Sequence, residues 1–117
     1  MYGLAKNEDL KFLLSKRLDQ ISVGLFQILL NFENGVSISI ECVFECTVDG
    51  KLIRGNNHPQ SASLLFPFLG ENIQAFSVES EGILKLEFSH GGVLTLYDSN
   101  PDSESYQING TGKSIIV

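Results

Sequence analysis

The sequence predicts an α+β, mostly β fold: an antiparallel sheet or sheets built from two repeated helix-plus-β-meander units, with two short helices. Three observations carry this expectation. Apolar and polar residues alternate over most of the 117 residues, the period at which one face of a strand meets a core. Turn-forming pairs, Asn34-Gly35, Asp49-Gly50, Gly91-Gly92 and Asn109-Gly110, fall between the alternating runs. The pattern also repeats. A shift of 55 places Leu14 on Leu69, Leu18 on Ile73, Ile21 on Phe76, Ser22 on Ser77 and Val23 on Val78. A shift of 56 places Ile28 on Leu84, Leu30 on Leu86, Phe32 on Phe88, Gly35 on Gly91 and Ile38 on Leu94.

The elements follow in order. Asn7 is a suitable helix N-cap, Glu8 and Asp9 suit a first turn, and Leu10, Leu13, Leu14 and Leu18 recur at three and four, which predicts an amphipathic helix over 8–17. Ile21 and Val23 begin a strand, and Phe26, Ile28, Leu30 and Phe32 share one strand face. After Glu33-Asn34-Gly35, one alternating run reaches from Val36 to Cys46 and should pair back on the preceding strand, with Glu41 and Glu45 on its outer face. Asp49-Gly50 turns the chain into the short Lys51-Leu52-Ile53-Arg54 strand. Residues 55–61 are the clearest loop. A short helix is expected from Ser61 to Phe66, with Pro67 bending or ending it and Gly70 as a stop. Strands then resume at Ile73 to Val78, Ile83 to Phe88 and Val93 to Tyr97, and two more are expected at Ser105 to Ile108 and Ser114 to Val117. One domain over 1–117 is expected, with pseudo-repeats at roughly 8–54 and 61–117.

Composition bounds the function. Eight basic against 14 acidic side chains give a formal charge of −6, which repels nucleic acid and anionic membrane and attracts a basic partner. Ile21 to Leu30 is the longest nearly uncharged apolar stretch and is too short to cross a bilayer, and the N-terminus lacks a secretory pattern, so a cytoplasmic protein is expected. Cys42 and Cys46 lie four apart on an expected strand, too far to bridge, and read as small buried hydrophobes in a reducing compartment.

Catalytic and cofactor motifs are missing. Gly110-Thr111-Gly112-Lys113-Ser114 ends like a phosphate loop, but Gln107 stands where that loop needs its first glycine. His58 and His90 lie in expected turns beside Pro59 and Gly91, with no Ser or Cys spaced as a triad partner. Acidic residues gather at Glu33, Glu41 and Glu45, at Glu79 and Glu81, and at Asp98, Asp102 and Glu104, on faces and turns that should be wet. Neither a catalytic residue, a metal site nor a cofactor is expected. Tyr97 and Tyr106 flank the last acidic loop, and tyrosine suits interfaces, so the candidate partner-binding residues are Glu41, Glu45, Asp98, Asp102, Glu104, Tyr97 and Tyr106.

The stretch Leu84-Lys-Leu-Glu-Phe-Ser-His-Gly-Gly-Val-Leu-Thr-Leu-Tyr-Asp98, with Glu104-Ser-Tyr-Gln-Ile108 and the closing Ile115-Ile-Val117, resembles a family of small bacterial proteins of uncharacterised function. The Asn31 to Ile40 hairpin is similar to that family's first half. The resemblance implies an internally repeated hairpin unit and a Glu-Ser-Tyr-x-Ile segment that serves as an interface or completes a sheet. Some proteins of this look stand beside polymorphic toxin or contact-dependent inhibition loci, which implies an immunity role and carries over no catalytic residue. The leading expectation is therefore a non-enzymatic immunity protein that neutralises a basic toxin domain through an acidic surface. The alternative is a structural or regulatory β domain that self-associates through exposed edge strands. A small-molecule or nucleotide-binding enzyme would have only His58, His90 and scattered carboxylates to work with.

Overall fold

The structure, a computed structural model, describes residues 10–79, 82–97, 106–110 and 113–117. Among these residues ten strands form two five-stranded antiparallel sheets. The first half supplies β1 (Leu18–Val23), β2 (Ile28–Phe32), β3 (Ser37–Ile40), β4 (Phe44–Val48) and β5 (Lys51–Gly55). The second half supplies β6 (Ile73–Glu79), β7 (Ile83–Phe88), β8 (Val93–Leu96), β9 (Tyr106–Gly110) and β10 (Lys113–Ile116). The first sheet has the order β1-β2-β3-β9-β10, and the second β5-β4-β8-β7-β6.

Alternation explains which residues each strand buries. Ile28, Leu30, Phe32, Ile38 and Ile40 from the first sheet, and Leu84, Leu86, Phe88, Leu94 and Leu96 from the second, share one hydrophobic cluster. Phe44 and Tyr106 are among its largest fully buried side chains. The Tyr106 hydroxyl donates to the Gly82 carbonyl at 2.9 Å, so this polar group enters the core with a partner.

The single run expected from Val36 to Cys46 is in fact two strands in two sheets. Pairing of β3 with β2 stops at Ile40, the chain bends over 41–43, and β4 pairs instead with β8 and β5. Cys42 stays buried at this corner. The inside-outside alternation therefore survives a change of sheet. It cannot report that change, because period 2 is a local property.

The same exchange occurs at the other end of the chain, where β9 pairs with β3. Each three-stranded meander is thus extended by the hairpin that follows the other meander. The registers correspond residue for residue. Leu18 lies opposite Phe32 as Ile73 lies opposite Phe88, and both pairs adjoin a bulge, before Gln20 and before Ala75. Ile40 lies opposite Tyr106 as Leu96 lies opposite Phe44. Cys46 lies opposite Ile53 as Ile108 lies opposite Ile115.

The helix expected over 8–17 is reduced, among the described residues, to one 3-10 turn, Lys11–Leu13. Ser15 has φ 68°, outside the right-handed helical region, and its N–H donates to the Ile73 carbonyl at 2.8 Å. Ile73 N–H in turn donates to the Lys16 carbonyl at 2.9 Å, and Arg17 forms an isolated bridge with Asn72. Residues 15–17 thus spend their backbone groups joining the two halves. The second expected helix is also 3-10, Pro59–Phe68, with Pro67 inside it. Its buried residues Ala62, Leu65 and Phe68 recur every third position, the period at which a 3-10 helix presents one face.

Candidate functional site

On its outer face the second sheet carries a cleft of about 300 Å³. Alternate positions of four strands, and Tyr97 just beyond β8, build it: Glu45 and Thr47 on β4, Leu52 on β5, Ile83 and Lys85 on β7, Val93 and Thr95 on β8, with Glu79 at the end of β6. Glu45 lies opposite both Arg54 and Thr95, so its side chain stands in the middle of the sheet rather than at an edge. Only 16% of that side chain is exposed.

Both oxygens of the Glu45 carboxylate are engaged. The Tyr97 hydroxyl donates to Oε1 at 2.6 Å, while Arg54 donates to Oε2 through Nη2 at 2.7 Å and Nε at 3.2 Å. The Arg54 guanidinium also lies 5.8 Å from the centroid of the Tyr97 ring, closing the triangle. Hydrogen bonding from Tyr97, and then from Arg54, holds the Glu45 carboxyl below its ordinary range. The same bond to Glu45 raises the Tyr97 phenol, which stays protonated. A second ion pair, Lys85 Nζ to Glu79 Oε2 at 3.2 Å, lies across the cleft floor from the first. The carboxylate is kept ionised and accepts three hydrogen bonds from its two neighbours, so it is tied into the sheet's own side chains. The arrangement makes a charge-balanced wall with apolar neighbours.

The first sheet has a different outer face at the corresponding positions. Gln107 stands where the second sheet has Glu45, Ser39 where it has Thr95, and Ser37 where it has Val93. Ser114 stands for Leu52 and Gln27 for Ile83. A polar network, with Glu41 as its one charged member, ties this face together. Gln27 Nε2 donates to Ser39 Oγ, and Glu41 Oε2 accepts from Ser39 Oγ at 3.3 Å and from Gln107 Nε2 at 3.4 Å.

Of the seven candidate binding residues, the structure brings Glu45 and Tyr97 together. It separates Glu41 from Glu45, placing Glu41 beside the first sheet's polar network because the chain changes sheet between them. Tyr106 is fully buried and serves the core, so it cannot present itself as a surface anchor. Asp98, Asp102 and Glu104 lie outside the described residues. Sequence reasoning overlooked Arg54, although alternation in Lys51-Leu52-Ile53-Arg54 puts it on the same strand face as Leu52. It also overlooked Leu52, Ile83 and Val93.

The histidines and cysteines play structural parts. His90 packs edge-on against Phe68, with centroids 5.4 Å apart, and its Nδ1 lies 3.6 Å from Glu71 Oε1. His58 stands edge-on to Phe26 at 6.2 Å. Cys42 and Cys46 are buried and not joined in a disulfide, and burial pushes the Cys46 thiol up to about 12, far from a reactive thiolate. Among the described residues no three His, Cys, Asp or Glu side chains come together as a metal ion would require, and no helix is long and apolar enough to cross a membrane.

No curated protein and no solved structure gives a significant match to the chain. Residues 11–117 match DUF6188, a family of unknown function, and with nearly the whole described fold inside that match the protein belongs to this family.

Proposed function

We propose that this protein is a non-enzymatic protein-binding domain that docks a partner on the outer face of its second sheet. The observation that carries the reading is the contrast between two faces built on one register. Where the first sheet has Ser114, Gln27 and Ser37, the second has Leu52, Ile83 and Val93 around a tyrosine and a half-buried ion pair. A tyrosine and an arginine beside an apolar patch are side chains that protein interfaces favour. Most concretely, the partner is a basic toxin domain and the protein its cytoplasmic immunity protein. The charge of −6 supports this by steering a cationic partner, and two buried cysteines not joined in a disulfide suit a reducing compartment. The two halves are, in this reading, copies of one unit that have kept their register while their outer faces diverged.

The test is co-expression with the product of the neighbouring large gene of the native host. A stable complex and rescue of growth are expected, and Val93→Glu should weaken both at least tenfold. No complex and no protection would refute the immunity reading.

A second reading, self-association through a sheet edge, has one observation in its favour: β5 is an edge strand with Leu52 64% and Ile53 46% exposed. Lys51 and Arg54 flank that pair, so antiparallel pairing of two β5 strands brings like charges together, which opposes it.

A further inference from the structure

The turn between β1 and β2 is the most apolar exposed point of the described molecule: Leu25 is 75% and Phe26 66% exposed, with half-exposed Val23 beside them. The fold does not demand this. In sequence, the connection between β6 and β7 is Ser80-Glu81-Gly82 after Glu79, acidic and small where the first is apolar. The apolar turn is also held in place. Asn57 Nδ2 donates to the Phe26 carbonyl at 2.6 Å, the Gly24 N–H donates to the Gln27 carbonyl at 2.8 Å, and the His58 ring stands against Phe26. An exposed aromatic fixed from two sides gives up little freedom when it is buried.

The same chain carries a receptacle for such a knob. The cleft on the second sheet has a volume of about 300 Å³ and is walled by Leu52, Ile83, Val93 and Tyr97. A cavity of about 150 Å³ already holds a benzene ring, so the cleft has room for the Phe26 ring and part of Leu25. Charge selects the same occupant. Glu45 is paired with Arg54 and Glu79 with Lys85, so the cleft is locally neutral and a charged side chain gains little there. The knob is neutral too, with Gln27, Asn57 and His58 around it. Leu25 and Phe26 are exposed in their own molecule, so the cleft that receives them belongs to another.

From this match we infer that two copies of the protein associate head to tail, with the Leu25-Phe26 knob of one seated in the Leu52, Ile83, Val93 and Tyr97 cleft of the next. The contact is heterologous, so each copy keeps a free knob or a free cleft unless a ring closes. It buries a few aromatic and aliphatic side chains, roughly a few hundred Å² per copy, below the roughly 800 Å² of a stable interface. Association is therefore weak and reversible. It competes with a foreign partner for the cleft. It stands independently of the immunity reading.

Sedimentation equilibrium of the full chain from 10 µM to 1 mM tests the inference. The expected result is concentration-dependent association that strengthens between 50 mM and 500 mM NaCl, because copies of charge −6 repel at low salt. The knob variant Leu25→Ser/Phe26→Ser and the cleft variant Val93→Glu should each be monomeric alone, with unchanged circular dichroism. Mixed, they should form a dimer of limited size, since one retains a cleft and the other a knob. Ile53→Lys, on β5 but outside the cleft, should associate as the parent does. A monomer throughout, association that ignores both variants, or a mixture that stays monomeric would each overturn the inference. A monomer whose knob binds phosphatidylcholine vesicles would also overturn it and assign the knob to lipid. None of these results decides the co-expression test.

Discussion

The outer faces of the two sheets are the same surface made twice with different chemistry. On the first sheet Gln27, Ser39, Glu41 and Gln107 bond to one another in a mostly neutral layer. On the second, Tyr97, Glu45 and Arg54 form a charged triangle beside Leu52, Ile83 and Val93. The strand register is shared, so neither composition is imposed by backbone geometry. In sequence, the connections between the first two strands of each meander reverse the contrast, apolar at Leu25-Phe26 and acidic at Glu79 and Glu81.

The comparison is broken most severely from beneath. Phe44 and Tyr106 hold corresponding places at the points where each hairpin joins the other half's sheet, and both are fully buried. Phe44→Ala and Tyr106→Ala should each cost about 3–5 kcal/mol in urea unfolding, by the cavity left behind. Similar losses at both sites indicate that the two exchanged hairpins hold the core equally. A loss confined to one would show that a single hairpin fastens the sheets together.

Gly55 sharpens the limit of the correspondence. It faces Phe44 across β4 and β5, as Val117 faces Tyr106. A Cβ at Gly55 would lie 2.6 Å from Phe44 Cζ and 2.9 Å from Leu64 Cδ1. Gly55→Val, although it installs the residue of the matching position, should therefore destabilise by about 1–3 kcal/mol, read as a lower urea midpoint. The 3-10 segment Pro59–Phe68 lies over this strand end and leaves no room for a side chain.

Glu45→Gln places on the second sheet the residue its counterpart Gln107 has on the first. It should cost at most about 1 kcal/mol at pH 7, since the Arg54 end of the pair is solvated. The pH dependence is the sharper readout. Glu45 titrates lower folded than unfolded, so its contribution is present above the ordinary glutamate range and is lost as pH falls through the folded value. The stability difference between parent and variant should be flat around neutrality and vanish on acidification. A difference that persists in strong acid would mean that Glu45 acts by packing alone. Smallest of all, Leu25→Ser/Phe26→Ser should move the unfolding midpoint by no more than about 0.5 kcal/mol, because these side chains are exposed.

Much of the strand pattern was legible because alternation and turn residues are local signals. Ile28, Leu30 and Phe32 face inward as their spacing requires, and Asp49-Gly50 closes the β4 to β5 hairpin with φ 53° and 78°. The site was legible only in Glu45 and Tyr97. They are 52 residues apart, and their hydrogen bond exists because β4 pairs with β8. Tyr106 carried the same interface signal as Tyr97, yet it turns inward. The difference between a surface tyrosine and a core tyrosine is one of strand face, set by partners distant in sequence.

The sequence by itself determined the strand character, the turns at Asn34-Gly35, Asp49-Gly50 and Gly91-Gly92, the acidic charge and the correspondence between the two meanders, since each rests on neighbours a few residues apart or on direct comparison of residues. Asn109-Gly110, expected as a turn, lies in β9, and Phe26, expected on a core face, is exposed. The tertiary structure decided three further things. The amphipathic spacing before β1 gives way to a 3-10 turn because Ser15 and Lys16 bond to Ile73. The chain changes sheet at 41–43 because β4 finds its partners in β8 and β5. The cleft forms because that exchange sets Glu45 and Arg54 beside Tyr97 and Val93. All three depend on backbone hydrogen bonds between distant segments, and a period-2 pattern is satisfied equally well by any antiparallel partner of the right face.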